Sequence, residues 1–344
     1  MRAVVLEQFG TPLVLRDVAK PTPGPGEVLV RVVASGVNPL DTKIRAGKAA
    51  HAQTHLPAIL GLDASGVIEA VGPEAPAASG AGFPVGGVGG PGGPGFAVGD
   101  EVFGLVGGVG DQQGTLAEFV AVDARLLARK PAALSFREAA ALPLVFITAW
   151  EALVDQAKVR AGQRVLIHGG AGGVGQVAIQ LAKAMGAEVF ATGSPGSRRA
   201  IEELGATSID YTSTTVEEYV VKYTDGAGFD IVFDTVGGEV LDNSFKAARR
   251  YGGHVVSALG WGTHSLAPLS FRSGTYSGVF TLHPLLTGED RAHHGEILRE
   301  AAALAERGML RPRLHDGDFT LATIAEAHAV VEQGQAAGKV VVDL

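Results

Sequence analysis

The stretch from Arg164 to Ser194, RVLIHGGAGGVGQVAIQLAKAMGAEVFATGS, sets five glycines between an apolar run and an amphipathic one. Gly170, Gly172 and Gly175 satisfy G-x-G-x-x-G, with Ala171, Gly173 and Val174 filling the turn. The chemistry open to such a turn is anion binding. Glycines permit a tight turn, close approach of backbone to a pyrophosphate, and close packing of helix on strand; the exposed amides and the helix dipole then favour the phosphate charge. The fingerprint is informative only where a strand precedes it and a helix follows. Val165-Leu166-Ile167 reads as the strand, and Val174, Val177, Ala178, Leu181, Ala182 and Met185 share one helical face. Gly186 ends that helix and Val189 opens a second strand. A glycine-rich turn without a ligand is the plainer alternative.

The end of the second strand bears on which dinucleotide would bind. A site for NAD usually carries Asp or Glu about 20 residues past the turn, to bind the ribose 2′-hydroxyl. Here the strand ends Thr192-Gly193-Ser194, and the next acid is Glu202. Ser194, Ser197, Arg198 and Arg199 stand there instead. Hydroxyls and guanidinium groups suit a 2′-phosphate, which a carboxylate would repel, so NADPH is the expected cofactor. The competing reading of Arg198 and Arg199 is an ordinary solvated helix face.

The elements that must position this corner follow two grammars. As far as about Val122 the chain shows short strands with turn punctuation: 28–33, Ala64–Val71, Asp100–Gly104 and Ala117–Val122. That spacing suggests a compact β-rich barrel or sandwich. Ser135–Ala157 then reads as helical, with Ser135 and Glu138 spaced as a capping box. Strands at Val165–Ile167, Val189–Ala191, Ile231–Phe233 and His254–Ser257 alternate with helices at Gly175–Met185, Ser197–Leu204 and Gly238–Ala248. Such alternation implies a parallel sheet covered on both faces, a doubly wound α/β domain. Two further helices, Ile297–Glu306 and Ile324–Gln333, and a closing strand in GKVVVDL should return to the first domain. The expected division is residues 1–124 with 284–344, and residues 125–283.

Composition narrows the function classes. The chain has 344 residues, enough for two cores, and a net charge of −8 from dispersed acids, which argues against nucleic-acid or anionic-membrane partners. No apolar run approaches the roughly 18 residues needed to cross a bilayer. The opening MRAVVLEQFG reads as a strand rather than a targeting segment, so the cytoplasm is the expected location. Cysteine is absent, which removes disulfides, thiolate nucleophiles and every Cys-based zinc site. His51 and His55 have a metal-like spacing, but HAQTHLP runs into a proline and offers no third ligand; both read as surface histidines. Gly80–Gly95, GAGFPVGGVGGPGGPG, reads as a flexible loop insertion.

Six segments in order carry a family resemblance: PGPGEVLVRVVASGVNPLDTKIRAG (Pro23–Gly47), LPAILGLDASGVIEAVG (Leu56–Gly72), VGDEVFG (Val98–Gly104), the glycine corner, FDTVGG (Phe233–Gly238) and GKVVV (Gly338–Val342). Across nearly its whole length the chain resembles the medium-chain dehydrogenase/reductases of the zinc-independent quinone oxidoreductase, or zeta-crystallin-like, type. The resemblance implies a GroES-like β-rich catalytic domain joined to a Rossmann domain, with the active site in the cleft between them. It also implies site residues. Asn38 and Asp41, in GVNPLD, match a polar pair near the nicotinamide; their plainer reading is turn chemistry, since Asn-Pro favours turns. Asp63 stands where zinc-dependent relatives carry an acid beside the metal, and Thr148 matches a threonine beside the nicotinamide. Tyr211 matches a tyrosine at the adenosine end. Leu259, Gly260 and Phe280 match segments flanking the nicotinamide, and Lys339, in GKVVV, a cofactor-binding position.

The zinc alcohol dehydrogenases of that superfamily place a Cys ligand where this chain has Asn38 and a His ligand where it has Leu62. Neither residue can replace them, so no zinc is expected. Without a metal Lewis acid an alcohol is a poor hydride donor, whereas a quinone or an α,β-unsaturated carbonyl delocalises arriving charge onto oxygen. The expected activity is NADPH-dependent hydride transfer to such an acceptor, in a homodimer. An enoyl-thioester or alkenal reductase is the alternative enzyme, and a non-catalytic NADPH-binding regulator or structural protein the alternative class. No general acid is named, and Ser257–Tyr276 is where substrate specificity is expected to be set.

Overall fold

The computed structural model describes residues 1–75 and 95–344. Apart from Gly95, the loop expected at Gly80–Gly95 lies outside the described residues. The chain divides into two compact units, Met1–Leu144 with Leu282–Leu344, and Val145–Thr281.

The first unit is built on a long strand, Glu27–Val37, whose inward residues Val28, Val30 and Val32 are buried with Ile68, Val102, Val120, Val122 and Leu127. That strand pairs antiparallel with Asp63–Val71, Phe119–Asp123 and Val340–Asp343. Glu101–Leu105 and Leu127–Arg129 extend the sheet on one side and Phe319–Thr320 on the other, giving seven strands; a second sheet of three strands contains Arg2–Leu6. Gly36 faces Asp63 on one neighbour and Val341 on the other. Register therefore sets the end of one strand, the start of a second and the residue before a third side by side.

The second unit is a six-stranded parallel sheet. In space its strands run Thr207–Asp210, Glu188–Gly193, Arg164–Ile167, Ile231–Asp234, His254–Ser257 and Thr275–Gly278. Chain order thus reverses between Arg164–Ile167 and Ile231–Asp234, the switch point at which open α/β sheets bind ligands beyond the strands' carboxyl ends. Leu166, Phe190, Phe229, Val232, Phe245 and Val255 form its core. The helix after the glycine turn, Gly173–Ala184, buries Val177, Ala178, Leu181 and Ala182, and Gly186 follows it with φ +81°.

One expectation needs correction. Ser135–Ala157 does not form a single helix. Ser135 and Glu138 make the reciprocal capping box on a short helix, Phe136–Ala140. A new helix, Pro143–Trp150, then begins at a proline, and Glu151–Gln156 continues as a π-helical turn. Proline lacks an amide hydrogen and clashes with the preceding turn, so a continuous helix breaks there.

Gly36 shows how tightly the first unit is registered. A Cβ there would collide with the Ala140 carbonyl and stand 3.1 Å from the Asp63 side chain. Gly36→Ala should lower unfolding free energy by about 1–3 kcal/mol in urea titration, the usual cost of overpacking. An unchanged midpoint would show that the helix can yield.

Candidate functional site

Two groups of polar side chains stand out, one in each unit. In the first unit, the strand register brings Asn38, Asp63 and Lys339 together, although Lys339 lies 301 residues beyond Asn38 in sequence. All three are buried, as is Asp41. Asn38 closes the strand Glu27–Val37 and precedes the helix Pro39–Arg45. The Asp41 carboxylate accepts the Asn38 amide hydrogen at 2.7 Å, the turn chemistry that Asn-Pro suggests.

The Asn38 side chain is held at both ends. The Lys339 ammonium donates to its Oδ1 and, at 3.3 Å, to the Val37 carbonyl. Its Nδ2 donates to Asp63 Oδ2 at 2.8 Å. An ammonium can only donate and a carboxylate only accept, so the amide has one orientation here. Asp63 Oδ1 accepts the Leu144 amide at 2.8 Å, and Oδ2 lies 3.5 Å from Lys339 Nζ.

Burial dominates the electrostatics of this cluster. It pushes the Asp63 carboxyl up, against Lys339, Asn38 and the Leu144 amide, which pull it down. It lowers the Lys339 ammonium, opposed by Asp63 and Asp41. Asp41 is pushed up to about 7, first by burial and then by Asp63, while the Asn38 amide, Lys339 and Gly61 lower it. Its Oδ1 has no hydrogen-bond partner among the described residues. Leu62, at the position of a zinc-ligating histidine in zinc-dependent enzymes, is fully buried and apolar.

The second unit carries the glycine turn. Gly172 caps the helix Gly173–Ala184, and the Gly170 amide donates to the Thr192 carbonyl at 2.9 Å. A Cβ on Gly175 would strike the Gly169 carbonyl, and one on Gly170 would stand 2.6 Å from Ala191 Cβ. These glycines therefore do the packing work expected of them. Gly169, with φ +71°, supplies the left-handed step and was not among the expected positions. Beside the turn lies a cavity of about 870 Å³, lined among others by His168, Gly169, Thr192, Tyr211, Val236 and Val240. Ala171, Gly173 and Val174 are part-buried in the turn and first helical residues.

Arg198 and Arg199 form exposed pairs with Glu202 and Glu203, both at 2.7 Å, as a solvated helix face would. Ser194 and Ser197 bond each other through their hydroxyls at 3.1 Å. Gly193, the residue before Ser194, has no room for a side chain, since its Cβ would stand 2.6 Å from Ile201 Cδ1. Leu259 and Gly260 follow the strand His254–Ser257, and Phe280 packs edge-on against Trp261 with ring centroids 6.4 Å apart. Thr148 is buried on the helix Pro143–Trp150.

Sequence reasoning missed Asp234. Its buried carboxylate accepts the Val236 and Gly237 amides and the Ser257 hydroxyl, and Ser257 Oγ accepts the Leu259 amide. One carboxylate thus ties together the loops after two neighbouring strands. The signal was an acid ending an apolar strand, in FDTVGG. Among the described residues no group of three or more His, Asp or Glu side chains is placed to hold a metal.

Comparison with known proteins places this geometry in context. Residues 24–132 match the alcohol dehydrogenase GroES-like domain family, and residues 204–342 the zinc-binding dehydrogenase family. The 2-methylene-furan-3-one reductase of Solanum lycopersicum is 34% identical, over 99% of this chain and 79% of its own length. The chloroplastic NADPH-dependent alkenal/one oxidoreductase of Arabidopsis thaliana is 33% identical over the same shares. A polyketide synthase protein of Streptomyces orinoci is 36% identical over 84% of this chain, which spans 12% of that relative's length. Among solved structures, an alcohol dehydrogenase superfamily protein from Novosphingobium aromaticivorans has a TM-score of 0.92 and 55% identity, covering 100% of this chain and 99% of its own. The quinone oxidoreductase from Coxiella burnetii has a TM-score of 0.80 and 29% identity, with 100% and 99% coverage.

The Asp41 carboxyl makes stability depend on pH. Its folded value, about 7, lies above the ordinary 3.8, so the folded state binds the extra proton between these values. Stability from this group is full below the ordinary value and is lost as pH rises towards 7. Asp41→Asn, which keeps an acceptor for the Asn38 amide, should melt higher than wild type at pH 8. That advantage should shrink at pH 5. An advantage independent of pH would mean that Asp41 does not titrate in this range.

Proposed function

The chain belongs to the medium-chain dehydrogenase/reductase superfamily, and from that premise we propose that it transfers hydride from NADPH to a quinone or another α,β-unsaturated carbonyl without a metal. The observation that carries the reading is the Asn38 amide, locked between Lys339 and Asp63. It stands where zinc-dependent relatives supply a metal ligand. The donor set here does not suit zinc: Leu62 has no ligand atom, the chain has no cysteine, and an ammonium lies against Asn38.

The dinucleotide fits the second unit on two observations: the glycine turn is closed to a Cβ at Gly170 and Gly175, and a cavity lies beside it. When bound it supplies the hydride. Hydride addition to an enone or quinone moves negative charge onto the carbonyl oxygen. Donors fixed in advance stabilise that charge without reorganising. Asn38 Nδ2 uses one hydrogen on Asp63 and has a second to offer, and the Lys339 ammonium on Oδ1 strengthens the amide as a donor. Lys339, expected as a cofactor contact, is read here as the residue that orients Asn38.

NADPH over NADH is supported by the strand end Thr192-Gly193-Ser194. No acid stands there, and Gly193 is closed to a side chain by Ile201 and Ser197. The paired Ser194 and Ser197 hydroxyls remain candidates for the 2′-phosphate, with Arg198 and Arg199 free to exchange their exposed glutamate partners for it. Alkenals and enones are favoured as acceptors by the names of the tomato and Arabidopsis relatives. A homodimer formed through the edge strand Thr275–Gly278 completes the reading.

A panel of quinones, alkenals and enoyl thioesters, followed by NADPH loss, tests the activity. Turnover with at least one class is expected, with kcat/KM at least tenfold higher for NADPH than for NADH. Tight NADPH binding without turnover would instead identify a non-catalytic binding protein. Asn38→Ala should cost about 100-fold in kcat/KM, the scale of removing one oxyanion donor. Lys339→Met should lower kcat while leaving KM for NADPH unchanged. A raised cofactor KM with normal kcat would return Lys339 to a cofactor-binding role.

A further inference from the structure

The loop after the strand His254–Ser257 leaves the carboxyl end of the parallel sheet one strand away from the switch point, the edge at which such sheets bind ligands. Its start is fastened. The Ala258 amide donates to the Asp234 carbonyl at 3.1 Å and the Leu259 amide to Ser257 Oγ at 3.1 Å, while the Tyr276 hydroxyl leaves no room for a Cβ on Gly260. Its end is fastened by the short helix Ala267–Ser270, which buries Leu269. Between these points Trp261, Gly262, Thr263 and Ser265 are exposed, Trp261 by 52%, and His264 is half-buried.

The His264 ring faces an acceptor at each nitrogen. Nδ1 lies 3.0 Å from Asp242 Oδ1, on the helix Glu239–Ala247, and Nε2 lies 3.1 Å from the Trp261 carbonyl oxygen. A carboxylate and a carbonyl only accept, whereas a neutral imidazole has one N–H and one lone pair. Either neutral tautomer would turn a lone pair on an acceptor. Only the imidazolium, a donor at both nitrogens, satisfies the two together. The bonds to Asp242 and then to the Trp261 carbonyl hold the ring above its ordinary 6.5, with partial burial opposing them and Asp234 adding a weaker attraction. The helix's other charged side chains are engaged elsewhere: Lys246 donates to Asn243, and Glu239 lines the cavity. Residues 258–270 carry no other titratable side chain. The Tyr276 phenol against Gly260 is pushed up by burial and by Asp234, and stays uncharged where a histidine titrates.

We infer that His264 is a pH-operated latch: its imidazolium pins Trp261 and the loop that carries it to the helix Glu239–Ala247, and loss of the proton releases them. The latch is fully closed below the ordinary 6.5 and opens as pH rises through the higher value of the folded ring. The same helix lines the cavity of the second unit through Glu239, Val240 and Asn243. One ring thus decides whether the exposed loop is held to a wall of that cavity, whichever acceptor the protein reduces.

Trp261 reports on the latch directly. The chain has two tryptophans, Trp150 and Trp261, so labelling the full chain with fluorotryptophan gives two fluorine NMR signals, assigned with Trp261→Phe. From about pH 5 to about pH 9, the span of a histidine titration, the Trp261 signal should titrate once. Its midpoint should lie above 6.5 and match that of the His264 ring nitrogens, read by nitrogen NMR and assigned by their absence from His264→Gln. His264→Gln, which keeps a donor but no titratable proton, should abolish the Trp261 titration. Asp242→Asn should place the midpoint about one pH unit lower, as loss of a neighbouring opposite charge does. A Trp261 signal indifferent to pH, a titration that survives in His264→Gln, or a His264 midpoint below 6.5 would each overturn the latch. Thermal melts check that both variants fold; should either fail, agreement or disagreement of the Trp261 and His264 midpoints in wild type decides the matter alone.

Discussion

A lysine ammonium and an aspartate carboxylate buried against one asparagine amide impose the strictest requirement on the first unit. Removing such charges from water costs several kcal/mol per ion unless each finds partners in good geometry. Here Lys339 has Asn38, Val37 and Asp63, and Asp63 has Asn38 and the Leu144 amide. These partners come from three strands and the start of a helix. A slip of one residue in any pairing would turn Lys339 or Asp63 to the opposite face of the sheet. The register of Val340 on Val37 and of Asp63 on Gly36 is thus both an architectural feature and the condition for a defined donor at Asn38. Glycine at position 36 answers the same condition, since the Ala140 carbonyl occupies the space of its side chain.

The second unit meets its own requirement with shape. Its glycine turn is closed by packing: the positions that would otherwise carry a Cβ are filled by the Gly169 carbonyl and by Ala191. The turn therefore stays where a strand ends and a helix begins, at the helix N-terminus. Two buried side chains brace the surroundings. Thr192 receives the Gly169 amide and meets the His168 ring, and Asp234 gathers the loops that carry Gly237 and Leu259. Neither contributes to the fingerprint, yet both fix the walls around it.

Much of this was legible in the chain itself because the signals are local. The strand, turn and helix around Gly170, Gly172 and Gly175 fall within one stretch, and each residue type follows from the turn's own geometry. Ser135 and Glu138 made their capping box for the same reason. The helical pattern from Ser135 to Ala157 misled because periodicity reports which face is apolar; the break is set by Pro143. Arg198 and Arg199 were ambiguous in sequence because a guanidinium serves a phosphate or a glutamate one turn away equally well. The structure gives both to glutamates. His168 and Asp234 were passed over because a lone histidine or aspartate at a strand end carries no signal until its neighbours are known.

What the sequence determined alone was the kind of chemistry. A glycine turn after a strand binds anions, an absent acid at Thr192-Gly193-Ser194 leaves room for a phosphate, and a chain without cysteine builds no thiolate zinc site. These follow from residue types at short spacing. What only the tertiary structure decided was which polar groups are partners. Lys339 and Asn38 meet because two strands far apart in the chain pair in one register, and the His168 ring meets Thr192 because the ends of two neighbouring strands lie side by side. Partnership and desolvation arise from packing between distant segments, and no local pattern encodes them.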